Sequence, residues 1–246
     1  MEALAHITTP EFAIAFVVMF IAATLQSTVG FGFALLSVPL LDLLNPVFAP
    51  VPQLVAVLPL TVGIAVREWP AVEVRSTLWI FAGRIPGALL GFALLTTLPE
   101  PSLDILMSLM VVVGLLLVVR SDAFRRNAAT EVIAGVASGT MAMVSAIGGP
   151  PIAILYRNDT GPTIRANLAL VFAIGVCITL TVRTAGGEVT LTEVLLGVAF
   201  LPAVLSGLFA SRGLLTRVEG SLLRNAIVAV AGAAAFMLFV RGMLNS

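Results

Sequence analysis

Arg84 is the one charge in the apolar segment 76–97, where it stands between Ile80-Phe81 and Ile85-Pro86. An ionisable side chain inside such a segment is costly and by default marks a functional site with a required partner. Its planar fork would match the oxygens of an oxyanion, as it matches phosphate or carboxylate. Two structural alternatives stand beside that reading: an internal salt bridge, with Asp42 as the candidate, or snorkelling toward the Arg67–Arg75 side.

Two glycine breaks supply the second kind of chemistry. One reads Gln26-Ser27-Thr28-Val29-Gly30-Phe31-Gly32-Phe33 and the other Ser145-Ala146-Ile147-Gly148-Gly149-Pro150-Pro151. Glycine costs about 1 kcal/mol and proline about 3 inside a helix, so neither run is ordinary helix interior. The first N–H groups of a helix lack intrahelical partners and carry about half a positive charge. Helices restarting near Gly32 and Pro150 would aim two such N-termini at one anion. Gly30, Gly32, Gly148 and Gly149 would let it approach the backbone, and Pro150 suits a first turn that needs no N–H. Gln26, Ser27, Thr28 and Ser145 precede the turns and add side-chain hydrogen bonds. Gln53 and Asn167 occupy corresponding places in the next apolar segments, where an amide could line a cavity or bond to broken backbone. The competing reading is tight helix packing through small residues, with Gln53 and Asn167 joining helices.

The elements that must position these residues are apolar helices. Apolar segments fall at roughly 11–29, 32–44, 52–66, 76–97, 103–119, 131–147, 150–156, 165–182, 190–210 and 221–240. A full span takes about 20 residues, so 32–44 and 150–156 are too short to cross alone. If every long segment crosses, arginines in the loops divide evenly between the two sides. If both broken segments fold back, Arg67, Arg75, Arg120, Arg125, Arg126, Arg157, Arg165, Arg212, Arg217 and Arg224 share one side. Only Arg183 and Arg241 then face the other, a bias that the positive-inside rule favours.

The expected fold is therefore an all-α polytopic membrane protein of two inverted repeats, each a broken or re-entrant hairpin plus three spans. The first repeat covers 1–120: hairpin about 11–44, spans about 52–66, 76–97 and 103–119. A cytoplasmic connector takes 121–130. The second repeat covers 131–246: hairpin about 131–156, spans about 165–182, 190–210 and 221–240. Ile85-Pro86-Gly87-Ala88-Leu89-Leu90-Gly91 and Leu201-Pro202-Ala203-Val204-Leu205-Ser206-Gly207 match between the halves. A duplication in one orientation, with bent helices that cross, is the alternative.

Composition agrees with a membrane protein: 59% of residues are apolar and 11% charged, and mean hydropathy is +1.12. Soluble domains run near 45–50% and about 25%. Thirteen Arg balance thirteen Asp plus Glu, with no Lys, which argues against a nucleic-acid partner. Cys177 is the single cysteine and His6 the single histidine, so disulfide scaffolds and Cys-based metal sites are excluded, and no cofactor is expected. Met1–Pro10 lacks a basic n-region, so no cleaved signal peptide is expected.

The run Gly30-Phe31-Gly32-Phe33-Ala34-Leu35-Leu36-Ser37-Val38-Pro39-Leu40-Leu41, paired with Ile147-Gly148-Gly149-Pro150-Pro151-Ile152, resembles the sulfite exporter TauE/SafE family of small bacterial anion permeases. That family has a glycine-rich turn followed by a short apolar run with Val-Pro, once in each half. The resemblance covers about residues 11–242. Phe31 departs from the usual glycine run, and Pro150-Pro151 from the usual Gly-Phe or Gly-Pro. The resemblance implies transport of sulfite or organosulfonates, often outward, across a bacterial inner membrane. A coupled proton or sodium ion stays open. A secondary transporter is the leading reading and an anion channel on the same re-entrant turns the second. An enzyme is disfavoured, since the apolar segments hold no His and no paired carboxylates.

Overall fold

The computed structural model describes residues 6–119 and 125–214, together with 232, 233, 236, 237, 239, 240, 243 and 244. The expected span at 221–240 lies outside the described residues except at those isolated positions, as do 121–124 of the connector and Arg120, Arg217, Arg224 and Arg241. The elements are helices α1 (Pro10–Val29), α2 (Phe33–Leu44), α3 (Val51–Arg67), α4 (Val74–Thr97), α5 (Glu100–Val119), α6 (Ala128–Ser145), α7 (Pro150–Ala153), α8 (Gly161–Ala185) and α9 (Leu191–Leu214). No strand occurs among the described residues. Among the described residues six helices are long and apolar enough to cross a membrane, α2 being among those too short.

Local chemistry sets the ends of these helices. Thr9 caps α1 by accepting from Phe12 N at 3.3 Å, with Pro10 in the first turn. Asn127 and Thr130 close a reciprocal capping box on α6, at 3.1 and 3.0 Å. Lipid cannot satisfy backbone groups, so such ends need protein partners.

Each broken segment doubles back. His6, before α1, places its ring 6.2 Å from that of Phe48, which follows α2. Phe48 in turn contacts Phe12 at 6.1 Å and Phe200 of α9 at 5.8 Å. In the second half, Arg126 before α6 pairs with Asp159 after α7 at 3.0 Å and with Glu73 before α4 at 2.7 Å. Burial lowers the proton affinity of Arg126, but Glu73 and Asp159 outweigh it, and its pKa is raised. Arg165, in the first turn of α8, pairs with Glu68, which ends α3, at 2.9 Å. Arg67, Arg126 and Arg165 therefore gather at one end of the molecule, and α3 and α8 run antiparallel.

Helix packing is tightest between α4 and α6, which run parallel. A methyl on Gly83 or Gly87 would meet the carbonyl of Val132 or Val136, and one on Gly135 or Gly139 that of Ile80 or Arg84. Apolar neighbours in lipid gain little from hydrophobicity, so close backbone approach and interhelical hydrogen bonds supply the attraction. Thr140 Oγ1 donates across the pair to Gly87 O at 3.0 Å. The parallel pair α1 and α9 is built alike: a methyl on Gly207 would meet Phe20 O at 2.7 Å. Each half thus lends its Pro-x-x-x-x-Gly helix to the entering helix of the other.

Candidate functional site

A cavity of about 50 Å³ lies where the two breaks meet. A methyl on Gly149 would come within 3.6 Å of Phe31 Cβ, so the breaks touch. A single water needs about 10–15 Å³ on the same scale, so the space takes a few waters or one small oxyanion. Of the residues singled out in the sequence, Gln26, Gly32, Gln53, Arg84, Gly148, Gly149 and Pro150 line it.

Arg84 is 2% exposed. Its Nη1 donates to Ser138 Oγ at 2.5 Å, and Ser138 in turn donates to Gly148 O at 2.6 Å. The guanidinium is thereby tied to the second break through one hydroxyl. None of the ion pairs among the described residues involves Arg84, so the salt bridge to Asp42 weighed from the sequence is not made. Gly175 of α8 makes the room, since a methyl there would strike the guanidinium.

The first break is a turn of two left-handed glycines, Gly30 at φ 102° and Gly32 at φ 111°. Side chains rarely adopt that region, which glycine enters freely. Gly30 N returns to Gln26 O at 2.7 Å, closing α1. Gln26 Oε1 then accepts from Phe33 N at 3.3 Å, the first amide of α2. The amides of Ala34 and Leu35, also in the first turn, have no intrahelical partner, and both residues line the cavity. Gln53 faces the same space at 1% exposure. Its Oε1 contacts Ser37 Oγ at 3.2 Å, and its Nε2 is buried without a hydrogen-bond partner among the described residues.

The second break is built differently from the helix N-terminus expected at Pro150. Helix α7 has four residues, followed by turns through Asn158. Pro150 and Pro151 carry no N–H, and Ile152 N and Ala153 N both bond to Gly149 O at 3.1 and 2.9 Å. One turn whose amides are absent or occupied offers little to an anion. This break contributes wall and carbonyls instead.

Five other residues from the sequence reading lie outside the cavity lining. Thr28 and Ser145 donate to their own helices, to Thr24 O at 2.7 Å and Met141 O at 2.8 Å. Gly30 packs against Arg165, and Ser27 is buried behind the turn. Asn167 holds the segment before α4, accepting from Glu73 N at 2.8 Å and donating to Ala71 O at 3.3 Å. Thr61 and Thr179, not among the residues singled out in the sequence, also line the cavity, and Ser138 stands behind Arg84. Small polar residues within glycine-rich or apolar spans were the available signal.

Both entering helices end on an arginine. Arg67 Nη2 donates to Ser27 O at 2.9 Å near the end of α1. Arg183 Nε donates to Met143 O at 3.1 Å, and its Nη2 contacts Met143 O at 2.5 Å and Val144 O at 3.3 Å, near the end of α6. Cations here satisfy orphan carbonyls and oppose the negative end of the helix dipole. The sequence places Arg183 among the loop charges; at 4% exposure it is instead a buried cap.

Comparison with curated proteins and with solved structures found no match. Comparison with family models gave a match over residues 15–238, nearly the whole chain and both breaks. With its apolar helices, paired glycine breaks and arginine-lined cavity, this multi-pass membrane protein belongs to the sulfite exporter TauE/SafE family, a family of membrane transporters.

Proposed function

We propose that the protein is a secondary transporter that moves small sulfur-containing anions, sulfite or an organosulfonate, outward by alternating access around the two breaks. One observation carries this reading: Arg84 presents a guanidinium to a small buried cavity with a hydroxyl as its partner and no paired carboxylate among the described residues. A buried cation without a counter-charge is expensive, and an anionic substrate supplies that charge. The unpartnered Gln53 Nε2 and the amides of Ala34 and Leu35 complete a set of donors around the anion.

The transporter is two inverted repeats, 1–120 and 131–246, joined by the connector 121–130. The antiparallel run of α3 and α8, and the reciprocal pairs α4 with α6 and α1 with α9, support that plan. The arginine-rich end faces the cytoplasm of a bacterial cell across its inner membrane, following the positive-inside rule. Rocking one hairpin against the other then exposes the cavity to each side in turn.

Efflux of sulfite from loaded proteoliposomes tests the site. Arg84→Gln lowers flux by about a hundredfold, the scale of two charged hydrogen bonds. Arg84→Lys restores part of it, because charge survives while the fork is lost. Unchanged flux in Arg84→Gln removes Arg84 from the mechanism. Sustained single-channel currents across a bilayer would overturn the carrier reading. Imposed proton or sodium gradients across the same vesicles show which ion, if either, is coupled.

A further inference from the structure

Behind the first break, on the side away from the cavity, a second cluster is left incomplete. Arg67 Nε and Arg165 Nε both pair with the same oxygen, Glu68 Oε1, at 3.1 and 2.9 Å. Two guanidinium groups share one carboxylate, which leaves one positive charge in excess. Arg67 Nη2 is used on Ser27 O, but Arg67 Nη1 is buried and without a partner among the described residues. Ser27 itself is 0% exposed, and its Oγ is equally without a partner there. The two orphaned groups thus belong to the two residues joined by that 2.9 Å bond. Buried polar groups in native proteins are almost always satisfied, so each orphan calls for an explanation.

The position adds a meaning. Gly30 lies against this cluster, a methyl there meeting Arg165 Cα at 3.2 Å, while Gly32 two residues on lines the cavity. The side chains of Arg67, Glu68 and Arg165 are 24%, 14% and 15% exposed, so the cluster reaches solvent at the arginine-rich end. Between that end and the first break the chain thus places a donor, a hydroxyl and an excess positive charge.

We infer that Arg67 Nη1 and Ser27 Oγ, backed by Arg165, form a second oxyanion station that receives the anion before it passes the first break. The inference rests on the transporter reading above and deepens it by giving the cargo two stations, one on each side of Gly30-Phe31-Gly32. Glu68 limits the excess to one charge, so the station binds more weakly than the cavity and releases its anion readily.

Equilibrium dialysis of the full-length protein in detergent against radiolabelled sulfite, kept under nitrogen, tests it. Wild type binds two sulfite ions per chain, one more tightly. Arg84→Gln loses the tighter site and keeps the weaker. Ser27→Ala, which leaves the Ser27 carbonyl and its cap intact, weakens the second site about tenfold, the scale of a hydrogen bond to a charged group. Arg67→Gln abolishes that site; if this variant fails to fold, Ser27→Ala decides alone. A single wild-type site that disappears in Arg84→Gln would overturn the station and leave the transporter reading standing. Two sites that both persist in Ser27→Ala would also overturn the station. No binding at all by wild type would overturn both readings.

Discussion

The two glycine breaks look alike as strings and differ as chemistry. The first is a pair of left-handed glycines that restarts a twelve-residue helix whose Ala34 and Leu35 amides have no intrahelical partner. The second turns at Ala146, φ 58°, and restarts a four-residue helix headed by two prolines. Donors gather at the first break. At the second, Gly148 O is engaged by the hydroxyl that Arg84 also contacts. The two breaks thus divide into a donor side and a wall side, so substitutions at their glycines should act unequally.

The largest contrast lies in the glycines themselves. Gly32→Val puts a β-branched residue at φ 111° with its Cβ 3.0 Å from Leu25. It should cost about 2–3 kcal/mol and most sulfite binding, as strained backbone does. Gly149→Ala sits at φ −73° with its nearest contact at 3.3 Å, and should bind within about threefold of wild type. Thermal unfolding and sulfite titration of both variants decide; equal damage would break the contrast.

The caps come next. Arg183 is 4% exposed and holds Met143 O and Val144 O, so Arg183→Gln should destabilise by about 2–3 kcal/mol. Arg67 makes one such bond and is a quarter exposed, so Arg67→Gln should cost about 1 kcal/mol or less. Denaturation in mild detergent ranks them, and the reverse order would mean that the first break depends more on its cap.

The smallest effects are expected at the hydroxyls bonded to their own helices. Thr28→Val and Ser145→Ala each remove a back-bond and no cavity contact, so sulfite affinity should stay within about twofold. A loss beyond tenfold in either would place that hydroxyl in the site.

Much of this was legible in the chain. The helix bounds follow the apolar runs closely, because lipid-facing segments announce themselves by length and hydropathy. Gly32, Gly149, Gln53 and Arg84 stood out as a break, a break, an amide and a charge where apolar residues were expected. Asn167 mirrors the place of Gln53 but follows the competing reading, its amide fastening the segment before α4. Position in the chain tells where a side chain sits along its helix, not which neighbour fills the space beside it. Ser138 was invisible for the same reason, because its partners Arg84 and Gly148 lie on another helix and across a turn.

The sequence by itself determined an all-helical membrane protein, two interruptions, and an arginine that had to be answered. Backbone chemistry and the cost of charge in an apolar segment are local properties, readable one segment at a time. Only the tertiary structure decided that Arg84 rests on a hydroxyl, that Arg67 and Arg183 close the entering helices, and that the two breaks meet around one cavity. Those outcomes depend on which helices approach closely. Glycines 83, 87, 135 and 139 set that approach by offering no side chain where two backbones must touch.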